Sequence, residues 1–293
     1  MIDHSVPPTG VLVGVDGSPA THNAVAWAAR EAARRRSTLV LIQVLPPSDR
    51  PHDETRGPSG RALALLGRAR NAAHAAAPHL PVHFAVVDGV VGPALAATAA
   101  RADLLVLGAR PRGAVIDAGV GRTAAHAMGH AACPVVIVPS HWDPGAETAP
   151  GVLVGVDGSP EAAGALAFGA DVADRDGASL TAVTVTAGSG EESDEDARRH
   201  LAEATTGITS SRPDLPLHEV VRQGQPAEEI LAEARAGAAL VAVGSRGHGA
   251  IGGVLIGSTS QRVVRGAPCP VAVLSPPAAA AWAREHSGAG EAT

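Results

Sequence analysis

The chain contains no lysine and no tyrosine, and aromatic residues make up only 2% of its 293 residues. All 23 basic residues are therefore arginine. The absence of lysine excludes a Walker-type phosphate loop, a protein-kinase site and Schiff-base chemistry, because each depends on a lysine amine. The scarcity of aromatic side chains and the net charge of −6 argue against nucleic acid binding, which uses base-stacking rings and a basic face.

Cysteine is also scarce, and long apolar runs are missing. Cys133 and Cys269 each stand in a Cys-Pro-Val context near the end of a repeated segment, which indicates equivalent reduced thiols and not a disulfide. No segment approaches the roughly 18 apolar residues of a membrane span, and no apolar run follows a basic stretch near the N-terminus. We therefore expect a cytoplasmic protein with neither a membrane nor a nucleic acid as its partner.

The most informative feature that is present is an internal repeat. The decapeptide Gly-Val-Leu-Val-Gly-Val-Asp-Gly-Ser-Pro from Gly10 to Pro19 recurs unchanged from Gly151 to Pro160. Such a match indicates two copies of one module. For the tail, which has no counterpart in the first copy, a frayed helix and disorder both stay open. The predicted organisation is a first domain over residues 1–140, a linker over 141–150, a second domain over 151–277 and a tail over 278–293.

Both copies alternate short apolar strands with alanine-rich helices. The first strand of each runs into Asp-Gly-Ser-Pro, whose proline suits the first turn of a helix. Alternation of this kind predicts an α/β protein with two tandem Rossmann-like domains. Each domain is expected to be a doubly wound, five-stranded, mostly parallel sheet flanked by helices. The proline-rich segment Pro46–Ser59 and the acidic segment Gly188–Asp196 are predicted to be exposed loops. This architecture alone does not define a function.

A glycine-rich loop follows the fourth strand of the second copy, from Gly244 to Gly257. Glycines at the carboxyl end of a strand let backbone N–H groups approach a ligand closely. Ser258 then stands at the start of the last helix, where unpaired N–H groups favour an anion. The pattern is typical of a phosphate cradle, placed where open α/β sheets bind ligands. Taken alone, it is equally compatible with a loop that merely turns the chain tightly.

Several of these segments resemble the universal stress protein family. The spacing Gly-x2-Gly-x9-Gly-Ser at Gly244, Gly247, Gly257 and Ser258 is similar to the family's ATP-binding signature. So are Val-Gly-Val-Asp-Gly-Ser in the repeat, Gly-Ser-x-Ser-Gln-Arg-Val from Gly257 to Val263, and Pro-Cys-Pro-Val before the last strand. Because both copies carry the pattern, the chain resembles the tandem-domain form of the family.

The resemblance implies an ATP site in the second copy, with Mg²⁺ as its companion and with neither a catalytic residue nor a protein ligand to the metal assigned. It places Asp157 beside the base and ribose, Val185 against the adenine, and Val243 and Gly244 along the nucleotide. Taken alone, Asp157 equally suits a turn cap. The loop residues Arg246 and His248 are interpreted as solvated in preference to phosphate-bound, with a short bond from arginine to phosphate left open as the alternative. The complete predicted ATP site is Gly155, Val156, Asp157, Val185, Val243, Gly244, Gly247, Gly257, Ser258 and Thr259.

The first copy departs from the signature in its phosphate loop. Pro111 replaces the second glycine and removes a backbone donor, Arg122 replaces the serine, and Asp117 adds a negative charge. Each lost charge-assisted hydrogen bond weakens binding by a factor of about ten to a hundred, although Arg122 is able to pair with a phosphate. We therefore expect the second half to bind ATP, and the first to bind it weakly or not at all. The possible weak site comprises Asp16, Val44, Gly108, Gly121, Arg122 and Thr123.

Three functions remain compatible with the sequence. The first is a stress-response regulatory protein in which ATP acts as a ligand of conformation or assembly. The second is a slow ATP-hydrolysing enzyme, which is disfavoured because no lysine, paired carboxylate or Cys/His dyad stands beside the cradle. The third is an interaction scaffold with a vestigial nucleotide site. The apolar final strands, Val135–Val138 and Val271–Leu274, are expected to pair within the chain, and a homodimer is a further possibility.

Overall fold

The computed structural model describes residues 9–46, 60–109, 120–143, 151–186, 191–247 and 256–286. The chain divides into two compact units, one of Met1–Ala127 with Val135–Gly145 and one of Met128–Pro134 with Ala146–Thr293. Across the described ranges, no helix combines the length and the apolar character that crossing a membrane requires.

The first unit contains a five-stranded parallel sheet in the order β3-β2-β1-β4-β5. Its strands are β1 (Val11–Gly14), β2 (Leu39–Leu45), β3 (Val82–Asp88), β4 (Leu104–Gly108) and β5 (Val135–Val138). Its helices are α1 (Pro19–Arg34), α2 (Gly60–Ala76), α3 (Val91–Thr98), continued by a 3₁₀ turn over Ala99–Arg101, and α4 (Arg122–His130).

The second unit repeats this arrangement in the order β8-β7-β6-β9-β10, again with parallel pairs. Its strands are β6 (Gly151–Gly155), β7 (Ser179–Thr186), β8 (Leu217–Gln223), β9 (Leu240–Gly244) and β10 (Val271–Leu274). Its helices are α5 (Pro160–Asp176), α6 (Glu191–Ser211), α7 (Pro226–Arg235), α8 (Ser258–Gly266) and α9 (Pro276–His286). The predicted fold, two Rossmann-like α/β domains with parallel sheets, is confirmed.

The core explains why so few aromatic residues suffice. The central strands are valine and leucine that are almost entirely buried, such as Val11, Val13 and Leu105. The helix that follows β1 buries alanines, including Ala24 and Ala28 at 0% exposure. Side chains this small let a helix lie close to a sheet covered on both faces. In each unit the strand order reverses between the first and fourth strands, which opens a crevice at their carboxyl ends.

The acidic segment of the second unit differs from its prediction as a loop that extends to Asp196. Helix α6 begins at Glu191, so most of the acidic residues lie at its N-terminal end. Acidic side chains complement the positive end of a helix, which favours helix over loop here. Asp194 also accepts hydrogen bonds from Thr186 Oγ1 (3.2 Å) and Gln223 Nε2 (2.9 Å). The start of α6 is therefore tied to the ends of β7 and β8.

The two units fix the segment that leaves the last strand by different means at one equivalent helix position. In the first, Asn23 of α1 donates from Nδ2 to the carbonyl oxygens of Ser140 (3.1 Å) and Trp142 (2.7 Å). The matching residue of α5, after a shift of 141 positions, is Gly164. A β-carbon on Gly164 would lie 2.5 Å from Ala279 Cβ, so the glycine is what allows α9 to approach α5 this closely.

Helix α9 occupies the region predicted as a tail from residue 278 onward. Trp282 packs edge-on against Phe168 of α5, with ring centroids 5.1 Å apart and planes at 76°. Phe168 is 0% exposed and Trp282 is 7% exposed. A pair of this geometry adds stability beyond the apolar area that it buries. Residues 276–286 are thus a packed part of the second unit, and residues 287–293 lie outside the described ranges.

Candidate functional site

The site lies where the carboxyl ends of β6 and β9 meet in the second unit. Glycine ends both strands, and both glycines have a packing reason. A β-carbon on Gly155 would lie 2.9 Å from Ile230 Cδ1, and one on Gly244 would lie 2.7 Å from Glu161 Cβ. Either contact is shorter than packed carbons tolerate. Gly244 is therefore required by the fold itself, whether or not a ligand is bound, whereas a side chain at Gly155 would need Ile230 to move.

The turn between β6 and α5 holds Asp157 in a defined position. Its Oδ1 accepts hydrogen bonds from the backbone N–H of Ser159 (3.0 Å) and from the Ser159 hydroxyl (2.6 Å). Ser159 Oγ in turn accepts from the N–H of Ala162 (3.2 Å) and so caps α5. Gly158 has φ +80°, a backbone conformation that glycine adopts without strain. The result is a carboxylate that is fixed on one oxygen and still exposed.

The second oxygen of Asp157 faces the loop that follows β9. A β-carbon on Gly247 would collide with Asp157 Oδ2, so a side chain at residue 247 would force the carboxylate to move from this position. This contact joins two segments that stand 90 positions apart in the sequence. It brings the second glycine of the predicted signature directly against the predicted ribose-side carboxylate.

The start of α8 closes the site on the other side. The Gly257 N–H donates to Ser245 O (2.7 Å), and the buried Ser260 hydroxyl donates to Gly244 O (2.6 Å). Gly257 is the N-cap and supplies no side-chain cap, so the first-turn N–H groups have no intrahelical acceptor. Among the described residues, a β-carbon on Gly257 would meet nothing nearer than 3.6 Å, which is an ordinary packing distance. Unlike Gly244, this glycine is not required by close contacts with the described residues, and it directly precedes the first-turn N–H groups that attract anions.

Two buried polar groups of this region have no hydrogen-bond partner among the described residues. One is the hydroxyl of Ser245, a residue that is 0% exposed. The other is the Arg246 Nε, which lies 3.9 Å from Glu161 Oε1. Buried polar groups normally find partners, so unsatisfied donors here are consistent with a site made for an anion. N–H groups, hydroxyls and a guanidinium form a donor set that fits a polyphosphate.

The remaining predicted residues of the second half sit around this point. Val156 and Val243 are buried, Val185 is partly exposed on β7 opposite Arg222, and Ser258 and Thr259 open α8. Because Val243 Cγ1 would lie 3.4 Å from a β-carbon on Gly155, its side chain belongs to the core and only its backbone is available to a ligand. Of the predicted residues, Asp157 lies against Gly247, and hydrogen bonds tie the start of α8 at Gly257 to the segment that begins at Gly244.

In the first half, Asp16 takes a different partner from its counterpart Asp157. Asp16 Oδ1 accepts from the Thr21 hydroxyl (2.6 Å) and from the Ser18 N–H (2.9 Å), while Ser18 forms no side-chain cap. Burial raises the pKa of Asp16, but these hydrogen bonds outweigh burial and hold its pKa below the ordinary value. The matching residue to Thr21 in the second half is Ala162, which offers no hydroxyl.

The rest of the first-half site is only partly described. A β-carbon on Gly17 would lie 3.2 Å from Leu65 Cδ1, so α2 covers the turn beside Asp16. Gly108 packs against the first turn of α1, where a β-carbon would lie 2.6 Å from Ala20 O. Gly121 precedes α4, which begins with Arg122 and Thr123, and Val44 lies on β2 opposite Val87. Pro111 and Asp117 fall outside the described residues, as does His248 of the second half.

Sequence reasoning missed two residues that the structure brings into the sites. Thr21 engages the Asp16 carboxylate, and Glu161 lies 3.9 Å from Arg246. Both stand at the first positions where the copies diverge after the shared decapeptide, as Ala20-Thr21 against Glu161-Ala162. That divergence was the available signal, because a side chain in the first turn of the helix points back toward the strand end.

The described residues also bear on the predicted metal. Among them, no group of three or more histidine, cysteine or acidic side chains is placed to hold an ion. Mg²⁺ typically keeps several waters and binds through substrate phosphates with one or two carboxylates. The donor set therefore fits Mg²⁺ only as an ion that enters with a nucleotide.

The fold defines a class, that of tandem Rossmann-like α/β domains, and sequence comparison defines the family. The Universal stress protein family profile matches residues 9–139 and again residues 151–275. A universal stress protein of Mycolicibacterium smegmatis is 34% identical over 291 residues, covering 91% of this chain and 97% of that protein. One from Mycobacterium tuberculosis is 31% identical over 299 residues, covering 90% and 94%. This chain belongs to the universal stress protein family, as a tandem-domain member.

Solved structures agree on the fold. The crystal structure of a universal stress protein from Archaeoglobus fulgidus has a TM-score of 0.69 with this chain at 20% identity. The alignment covers 92% of this chain and 98% of that one. The two-domain α/β architecture is thus shared at nearly full length.

Proposed function

We propose that this protein is a stress-response regulator that binds ATP in its second half, and that the nucleotide acts as a ligand of conformation or assembly. The observation that carries the proposal is the meeting of three features at one crevice. These are the fixed carboxylate of Asp157, the glycine contact at Gly247 and the uncapped start of α8 at Gly257. The residues of the predicted ATP site in the second half are the expected ligands, and Mg²⁺ would enter with the triphosphate.

The first half is proposed to bind ATP weakly or not at all. Asp16 is engaged by Thr21, and Leu65 covers the adjoining turn at Gly17. A nucleotide would have to break the first interaction and displace the second before it could use the crevice. Both costs add to the loss of a donor that Pro111 implies in the sequence.

Stoichiometry and a matched pair of variants test this proposal. Isothermal titration of the full chain with ATP and Mg²⁺ is expected to give one tight site. Gly257→Ala adds a methyl at the start of α8, where the described residues stand no nearer than 3.6 Å, so it should weaken ATP tenfold or more with little change in the melting temperature of the unliganded protein. Gly121→Ala is the same change at the equivalent position of the first half and should leave the tight site unaltered. Two equal tight sites, or equal effects of both variants, would contradict the assignment.

A ligand role and an enzymatic role predict different fates for the nucleotide. As a ligand, ATP stabilises the folded protein by about 2.7 kcal/mol at a hundredfold excess over Kd. It should be recovered intact from a single-turnover incubation with excess protein. Hydrolysis that Gly257→Ala abolishes would instead support a slow ATPase, and a chain whose melting ignores ATP would support a scaffold with a vestigial site. Pairing of the two final strands, a homodimer and a cytoplasmic location stay predictions from the sequence.

A further inference from the structure

A salt bridge inside the second-half crevice has no equivalent partner in the first half. Arg246 Nε lies 3.9 Å from Glu161 Oε1, and the Glu161 side chain is only 14% exposed. Glu161 can lie there because Gly244 has no side chain, since a β-carbon on Gly244 would be 2.7 Å from Glu161 Cβ. The first half has Ala20 at the position of Glu161, although Arg110 stands where Arg246 does. The first half therefore lacks, in its sequence, the acidic residue that lies near Arg246 in the second half.

The carboxylates of the crevice oppose the entry of a triphosphate unless a positive charge offsets them. Asp157 and Glu161 both place carboxylates beside the loop, and both would repel phosphate oxygens. The chain contains no lysine to offset them. Arg246 stands between Gly244 and Gly247, within the loop predicted to follow the phosphates, and its buried Nε has no hydrogen-bond partner in the part of the chain that the structure describes. A guanidinium presents five donors in a rigid fork, so one edge can face a carboxylate while another faces a phosphate.

We propose that Arg246 binds the phosphate chain of the nucleotide and that Glu161 is a positioning residue that holds its guanidinium in the loop. This inference rests on the proposed function, since it concerns the same ATP site. It replaces the expectation that Arg246 is merely solvated. This arrangement also predicts selectivity for charged ligands over uncharged ones. A ligand without phosphates has no group that pairs with the Arg246 guanidinium, so it gains no affinity from Arg246.

The test compares ATP with adenosine on the full chain. Titrations at two salt concentrations give the Kd of each ligand for the unsubstituted protein and for Arg246→Gln, Glu161→Gln and the double variant. Arg246→Gln should weaken ATP about ten- to a hundredfold and adenosine less than about twofold, and it should flatten the salt dependence of ATP binding. Glu161→Gln should weaken ATP about three- to tenfold, and the double variant should be no weaker than Arg246→Gln. Arg110→Gln in the first half is the matched control and should change neither Kd.

The outcomes separate the two proposals. If the unsubstituted chain does not bind ATP, the proposed function fails and this inference fails with it. If it binds ATP and Arg246→Gln binds equally well, or loses adenosine as strongly as ATP, only the role of Arg246 is overturned. If Glu161→Gln tightens ATP binding, the acidic side chain opposes the phosphates and its positioning role is wrong. Melting temperatures of all variants without ligand show whether any loss comes from the fold.

Discussion

The Thr21 hydroxyl donates to the Asp16 carboxylate at 2.6 Å, and no such bond exists at Asp157, where Ala162 replaces the threonine. The same decapeptide thus ends in two different hydrogen-bond arrangements. In the first half the helix holds the carboxylate, and in the second the Ser159 hydroxyl holds it. The difference comes from one position just outside the repeat, which is Thr21 in the first half and Ala162 in the second.

Replacing Thr21 with valine should reveal this bond through its dependence on pH. Because the folded pKa of Asp16 is lowered, the carboxylate stabilises the fold above its unfolded pKa, and this stability is lost as pH falls through the folded pKa. Thr21→Val should raise the pKa of Asp16 and cost at most about 1.5 kcal/mol at pH 7, since the group is largely exposed. The cost should shrink below about pH 4, where the carboxyl is protonated. Urea unfolding at several pH values measures it, with Thr21→Ser as the control that keeps the hydroxyl; a cost independent of pH would contradict the account.

The strand-end glycines should differ from Gly257 in how they tolerate a methyl group. Gly108→Ala and Gly244→Ala would force contacts of 2.6 Å with Ala20 O and 2.7 Å with Glu161 Cβ. Overpacking of this kind typically costs about 1–3 kcal/mol. Among the described residues, Gly257→Ala meets nothing nearer than 3.6 Å, so it should cost clearly less unliganded stability than the two strand-end variants. Chemical denaturation of the three variants ranks them, and similar losses at all three positions would show that Gly257 also serves packing.

The cysteines should be unreactive in the folded protein. Burial raises the pKa of the Cys269 thiol to about 12, so only about one molecule in ten thousand carries the thiolate at pH 8. Cys133 is 4% exposed and Cys269 is 2% exposed. Alkylation followed by mass spectrometry is expected to label neither residue in buffer and both in strong denaturant. Fast labelling of Cys269 under native conditions would mean that β10 opens far more readily than its burial suggests.

Helix α9 should contribute measurably to the stability of the second unit. Trp282→Ala removes a ring that is 7% exposed and packs on the fully buried Phe168, and such truncations cost about 3–5 kcal/mol. Trp282→Phe keeps a ring against Phe168 and should recover most of the loss. Denaturant unfolding followed by circular dichroism gives both values. A loss below about 1 kcal/mol for Trp282→Ala would show that α9 docks without supporting the unit.

The sequence was sufficient for the fold because local pattern and packing agree. The all-apolar segments Val135–Val138 and Val271–Leu274 form the predicted final strands, with those bounds. Periodicity and glycine punctuation encode such elements within a few neighbouring residues. The acidic start of α6 was less predictable, since its helix depends on the partners that Asp194 finds on β7 and β8.

The candidate site was predictable only in outline. The signature gave the loop and helix that line it, but Gly247 and Asp157 lie in the segments that follow two different strands, and the pairing of β6 with β9 brings them together. Glu161 was overlooked because an acidic residue in a first helical turn ordinarily serves the helix dipole. Only the folded structure shows that its Oε1 lies 3.9 Å from Arg246 Nε.

The pair Asn23 and Gly164 has a consequence for how duplicated domains exchange. An amide in one copy and a bare backbone in the other serve the same purpose, yet each works only with its own outgoing segment. Recombination that joined α5 to the segment of Ser140 and Trp142 would strand two carbonyl oxygens, and the reverse exchange would drive an amide into Ala279. The two copies are therefore no longer interchangeable here, because each helix fits only the segment that follows the last strand of its own half.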